Sequence, residues 1–148
     1  MTVRIRAARA TDARPLLRLV HDHAAFERAA ATLTLPGLGR LLAGAASLRL
    51  TVAEGADGLL GYSAMTFDYS LWRDRHWAHL DCLFVRQADR NRGVGRQLLA
   101  QAYAQALAWG ADRLEWQTPD WNEAAIRFYR REGAACVTKK RFVLQPGA

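Results

Sequence analysis

The chain has 148 residues, 51% hydrophobic and 24% charged, which suits a single domain with a buried core and excludes disorder over most of its length. No apolar run approaches the roughly 20 residues that cross a bilayer. The opening Met1-Thr2-Val3-Arg4-Ile5-Arg6 has no hydrophobic signal core, so a cytoplasmic protein with no membrane partner is expected. The net charge of +7 comes from 21 basic residues, of which only Lys139 and Lys140 are lysines. The arginines are scattered and form no basic arm, so the charge favours an anionic ligand and points to no nucleic-acid partner.

Val3-Arg4-Ile5-Arg6-Ala7 alternates as a half-buried strand. Thr11-Asp12 then reads as the cap of a helix with Pro15 in its first turn, Leu16, Leu19, Val20, His23 and Phe26 on one face, and an end near Ala30. Leu35-Pro36-Gly37-Leu38 reads as an interruption before a short helix through Leu41-Leu42. Leu48 to Glu54 and Leu59 to Tyr69 read as strands joined by the Gly55-Ala56-Asp57-Gly58 turn, and His76 to Val85 as a third antiparallel strand. Gly93 to Trp109 is a helix stopped by Gly110; Arg113 to Gln117 is a strand; Asn122 caps a helix through Glu132; and Ala134 to Leu144 reads as a last strand. The expected fold is α+β, one domain over 1–148, a mixed and mostly antiparallel sheet flanked by helices in the order β-α-α-β-β-β-α-β-α-β.

Cys82 and Cys136 lie far apart in apolar company and read as buried, inert thiols; His21, His23, His76 and His79 have no metal-ligand spacing, so no metal is expected. The chemistry gathers at Val85-Arg86-Gln87-Ala88-Asp89-Arg90-Asn91-Arg92-Gly93-Val94-Gly95-Arg96, where a strand delivers into a helix. The first N–H groups of a helix have no internal acceptor and carry the positive end of its dipole. Gly93 and Gly95 remove side chains from that end, and Arg90, Arg92 and Arg96 add charged donors, a set that suits a pyrophosphate. A Walker A loop would need a Lys and a hydroxyl after Gly95, and a dinucleotide fingerprint a small residue where Leu98 stands.

Arg90-x-x-Gly93-x-Gly95 resembles the pyrophosphate loop of the GCN5-related N-acetyltransferase superfamily. Trp121-Asn122-Glu123-Ala124-Ala125-Ile126-Arg127-Phe128-Tyr129, running on to Gly133-Ala134, resembles a later helix of the same superfamily. Phe26-Glu27, Leu80-Asp81-Cys82-Leu83-Phe84-Val85 and Trp121-Asn122-Glu123 are similar to blocks of its diamine (spermidine/spermine-type) branch. Two departures leave the amine open: an acidic pair is reduced to Asp81 with Cys82, and Ser70-Leu71 replaces an acid near Trp72.

The resemblance implies an N-acetyltransferase that moves an acetyl group from acetyl-coenzyme A to a primary amine of a small molecule, working as a homodimer. A protein amino group is the alternative acceptor. A nucleic-acid-binding domain using the arginines of 86–96 is a distant second class, since no basic-aromatic array accompanies them, and a catalytically silent coenzyme A-binding domain of this fold is a third. The resemblance also implies Tyr129 as general acid toward the departing sulfur, and Asp81 as general base or as substrate anchor. The cofactor set is the backbone of Leu83, Phe84 and Val85, then Arg90, Asn91, Arg92, Gly93, Val94, Gly95, Arg96 and Asn122, together with Tyr129. Phe26, Glu27, Asp68, Tyr69, Trp72 and Asp81 are the acceptor-site candidates, and His79 a possible relay two residues from Asp81.

Overall fold

The computed structural model describes residues 2–147. They form two compact units, one running to Gln117 and the other starting at Thr118.

The first unit is built on five strands in sequence order, β1 (Arg4–Ala7), β2 (Leu48–Gly55), β3 (Gly58–Ser70), β4 (Arg75–Val85) and β5 (Leu114–Glu115). All neighbours are antiparallel except β4 and β5, which are parallel. Helices α1 (Ala13–Phe26), α2 (Leu35–Leu42) and α3 (Val94–Trp109) complete it. Successive strand residues point to opposite faces, so neighbouring apolar residues feed two cores. Val52, Leu59, Tyr62 and Phe84 pack with Leu16 and Leu19 of α1 and Leu38 of α2. Ala53 and Leu60 pack with Val94 and Leu98 of α3. A sheet covered on both faces explains why β3 is buried continuously from Leu59 to Met65 rather than alternately.

Gly61 lies opposite Val85, and a Cβ on it would stand 2.4 Å from the carbonyl oxygen of Phe84. No other residue fits that approach of β3 to β4.

Five expectations change. Asp12 stands at the start of α1 but makes no side-chain cap to it. Its carboxylate accepts instead from the N–H of Arg9 at 2.7 Å and from the Arg6 guanidinium at 2.8 and 2.9 Å. α1 ends at Phe26, short of Ala30, because the chain turns left-handed at Arg28 (φ 61°). Leu35-Pro36-Gly37 interrupts nothing: it is the first turn of α2, where Pro forfeits no bond and the Thr34 hydroxyl accepts from the N–H of Gly37 at 3.1 Å.

The fourth change is the last strand. The second unit holds α4 (Glu123–Arg131), and the described residues after Gly133 belong to no strand, so the order ends at α4. A strand needs a partner ladder. Here Val137, Phe142, Val143 and Leu144 are exposed and their backbone joins no sheet. Cys136, read as buried, is exposed as well, whereas Cys82 is partly buried.

The Arg6 fork is the main polar anchor of the first unit. It grips Asp12 and, through Nε and Nη2 at 3.0 and 3.1 Å, Glu54 on β2. The guanidinium holds the Asp12 carboxyl below its ordinary range. A depressed pKa of this kind contributes stability at pH values above the unfolded Asp value of about 3.9 and loses it as pH falls through the folded value. Arg6→Ala, which leaves Asp12 buried without its cation, is expected to cost about 3 kcal/mol at pH 7. Thermal melts from pH 7 down to pH 3 should show the gap from wild type closing only in the acid range.

Candidate active site

β4 carries the site because its two edges differ. On one side it pairs with β3 along its whole length, while on the other β5 pairs only with Ala78 and His79. Beyond His79 no strand among the described residues lies on that second edge. The N–H of Arg86 donates to the carbonyl of Leu60 at 2.8 Å, which fixes the phase of the antiparallel ladder. Tyr62 and Phe84 are then a hydrogen-bonded pair, and the backbone groups of Leu83 and Val85 turn to the unpaired edge. Of the three residues expected to offer their backbone, Phe84 is therefore already satisfied by Tyr62.

The register of β3 and β4 slips between Ala64 and Met65, which face Cys82 and Leu80. Asp81 is the residue left over, the extra member of a β-bulge. The bulge interrupts the alternation on which a shared face for His79 and Asp81 would rest, and His79 packs against Trp77 at 6.2 Å between ring centroids. Asp81 is exposed and accepts a weak hydrogen bond from Cys82 Sγ at 3.6 Å.

After Val85 the chain makes one 3-10 turn over Gln87–Asp89, passes through left-handed Asn91 (φ 62°), and enters α3 from Gly93 (φ 80°). Asp89, which sequence reasoning passed over, is buried and binds Arg86 at 2.7 Å and Arg92 at 4.0 Å. Its signal was an acid spaced three residues from an arginine on either side. Gly93 brings no side chain to cap α3, and a Cβ built on it would touch nothing within 4 Å. The N–H groups of Val94 and Gly95 in the first turn thus have no acceptor from the helix or from its N-cap. A strand edge offering amide groups, followed by an uncapped helix start, matches an amide-bearing arm ending in a pyrophosphate.

Arg90, expected at a phosphate, is committed elsewhere. Its Nε donates to the carbonyl of Val85 at 2.9 Å, and its guanidinium lies 4.6 Å from the Phe26 ring centre and 5.4 Å from that of Phe84. Arg92 and Arg96 are exposed.

The family model for the acetyltransferase (GNAT) family matches residues 16–134. The chain belongs to that family. Two curated relatives are the thialysine N-epsilon-acetyltransferase of Bos taurus and the L-ornithine N5-acetyltransferase of Arabidopsis thaliana. The first is 30% identical over 55% of this chain and 47% of its own length; the second is 39% identical over 38% and 25%. The chain thus spans less than half of either relative. A crystal structure described as a transcriptional regulator from Bacillus halodurans C-125 superposes with a TM-score of 0.84 at 20% identity, over 97% of this chain and 100% of that one. The likeness extends the fold assignment to the α+β architecture described above.

In this member of the family the expected acceptor residues fall into two places, with Trp72 in neither. Phe26 and Glu27 close α1, where Glu27 binds His23 Nε2 at 2.7 Å. Burial raises the pKa of Tyr62 and of Cys82 in the cluster beneath α1, and the charges of Asp81 and Glu27 add to it. Asp68 and Tyr69 lie apart, paired with Trp77 and His76 at the other end of β4, about 13 Å from Asp81 by strand geometry. They line a separate hollow of about 590 Å³ with Phe67, His76 and Trp109. Trp72, at the hairpin tip, is 98% exposed and belongs to neither place. The sequence put Asp68 and Tyr69 on one strand and Asp81 on the next; only the register shows how far apart they lie.

In the second unit Asn122 caps α4, its side-chain oxygen accepting from the N–H of Ala125 at 3.3 Å while its amide donates to the Thr118 hydroxyl at 3.4 Å. Tyr129 is half-buried beside Phe128, 5.3 Å between ring centroids. His23, Tyr62 and Cys82 are the members of the cluster that sequence reasoning missed as polar partners. An i,i+4 His–Glu pair on α1 was the one legible signal.

Gly93→Ala forces a Cβ into the left-handed region and is expected to cost about 1 kcal/mol of stability. Its larger effect should be a weaker grip on coenzyme A, read by calorimetric titration beside a thermal melt.

Proposed function

We propose that this acetyltransferase moves an acetyl group from acetyl-coenzyme A directly to a primary amine of a small molecule. One observation carries the reading: the unpaired edge of β4 at Leu83 and Val85 leads through the 86–93 loop to the glycine-started helix α3. Leu83 N–H and C=O and Val85 N–H would take the pantetheine arm as a further strand, and one N–H would hold the acetyl oxygen. The start of α3, with Arg92 and Arg96, would hold the pyrophosphate. Acetyl-coenzyme A, when bound, supplies the acetyl group as an activated thioester.

Glu27 and Phe26 receive the protonated amine, a carboxylate for its charge and a ring for its methylenes. Asp81 takes the proton that must leave before nitrogen can attack. Tyr129 holds the phenolic proton that the departing sulfur needs. Relatives named for thialysine and ornithine support a small amine acceptor, and the carboxylates of Glu27 and Asp81 support one with diamine-like positive charge. A cytoplasmic homodimer belongs to the same proposal, with exposed Leu71 and Trp72 as one candidate contact.

The test is thiol release from acetyl-coenzyme A across a panel of amines, with wild type beside Tyr129→Phe. Turnover with some amine is expected, and the variant should lose about 10² or more in kcat with cofactor binding unchanged. Absence of coenzyme A binding to the wild type would overturn the reading of the edge and loop; turnover unaffected in Tyr129→Phe would remove Tyr129 as the acid.

A further inference from the structure

His23 on α1 is gripped at both ring nitrogens. Its Nε2 lies 2.7 Å from Glu27 Oε2, and its Nδ1 lies 2.7 Å from Tyr62 Oη. The roles follow from the partners. A carboxylate only accepts, so Nε2 carries the hydrogen of the first bond, and Nδ1 is left to accept from the Tyr62 phenol. Burial holds that phenol well above its ordinary pKa, so the donor keeps its proton. The ring itself is fixed by stacking on Phe84 at 5.0 Å and by the edge of Tyr62 at 5.7 Å. Tyr62 is 1% exposed and the His23 side chain 13%, while that of Glu27 is 35% exposed. The bonds thus run from the core outward and end on a carboxylate that solvent can reach. Oε2 is spent on His23, and among the described residues Oε1 has no hydrogen bond or ion pair.

Helix stability does not explain the pair. Glu27 stands at the C-cap of α1, where the negative end of the helix dipole disfavours a carboxylate. We propose that His23 is a positioning residue: fixed by Tyr62, it holds the Glu27 carboxylate in place for the second ammonium of a diamine and so sets a preference for diamines over monoamines. The inference rests on the reading of Glu27 as an acceptor-site carboxylate. An unattached glutamate side chain gives up rotamer freedom each time it pairs with a cation. One already tied to a buried imidazole has lost that freedom in folding, and its pair with the substrate is tighter by the difference. The free oxygen Oε1 takes the ammonium while Oε2 stays with His23. Asp81, exposed on the bulge of β4, is left for the amine that reacts. A monoamine of the same length sets a methyl group against Glu27 and gains nothing from its charge. His23 and Tyr62 touch neither amine; they act through Glu27.

The experiment measures kcat and KM for putrescine and cadaverine beside butylamine and pentylamine, with wild type, His23→Leu, His23→Gln, Tyr62→Phe and Glu27→Gln, and thermal melts to establish folding. Wild type is expected to favour the diamines. His23→Leu should cut that preference about tenfold, through the diamine KM and with kcat changed less than about twofold. Tyr62→Phe, which keeps the ring but not the donor, should cut it about threefold. His23→Gln, whose amide can donate to Glu27 from the same helix position, should recover most of what His23→Leu loses. A folded His23→Leu with the wild-type preference would overturn the proposal; where that variant does not fold, Tyr62→Phe with the wild-type preference does so. A loss in kcat that falls equally on diamines and monoamines marks a structural role and overturns it as well. Glu27→Gln impaired toward diamines beside an unimpaired His23→Leu would overturn the role of His23 alone. Glu27→Gln with the wild-type preference, or a wild type that accepts no diamine or does not favour one, would overturn the reading of Glu27, and the positioning with it.

Discussion

A β-strand in the interior of a sheet spends its backbone groups on both neighbours, and β4 does so only as far as His79. From there to Val85 one edge stays without a strand partner while the other is held by β3. Unpaired amide groups in the middle of a sheet are costly unless something else takes them up. The candidate site rests on that edge, which no strand among the described residues takes up.

The rest follows from how β4 is held. Gly61 lets β3 close on the carbonyl of Phe84, which locks the phase of the ladder and decides that Leu83 and Val85, not Phe84, face outward. The bulge pushes Asp81 out of the ladder and onto the exposed surface. Beyond Val85, the Asp89 carboxylate ties Arg86 and Arg92 into the loop, and Gly93 starts α3 with bare N–H groups. Electrostatics is divided along the same line: the helix start is positive, while Glu27 and Asp81 bring negative charge to the end of α1 and the bulge of β4.

Arg90 shows how a motif and a side chain can part company. The loop whose first residue it is has the expected shape, yet its guanidinium lies over Phe26 and Phe84 and its Nε is bound to Val85. It braces the end of α1 against β4. The N–H groups at the start of α3 do not depend on that side chain.

The sequence by itself determined the elements whose signals are local. Period-2 runs marked β2, β3 and β4, the glycines and capping residues marked α3 and α4, and the Arg90-x-x-Gly93-x-Gly95 loop marked the anion site, because each rests on residues within a few positions of one another. Tertiary structure decided whatever depends on a distant partner. Asp12 looked like a cap and became the mate of Arg6, since a guanidinium within reach outcompetes a helix end for a carboxylate. Ala134 to Leu144 has the composition of a strand but no ladder to join, and composition cannot supply one. Asp68 and Tyr69 sit on β3 and Asp81 on β4, and the register sets the first two against Trp77 and His76, away from Asp81 in its bulge. The Glu27–His23–Tyr62 chain joins residues up to 39 positions apart, and only the packing of α1 on β3 brings them into hydrogen-bonding distance.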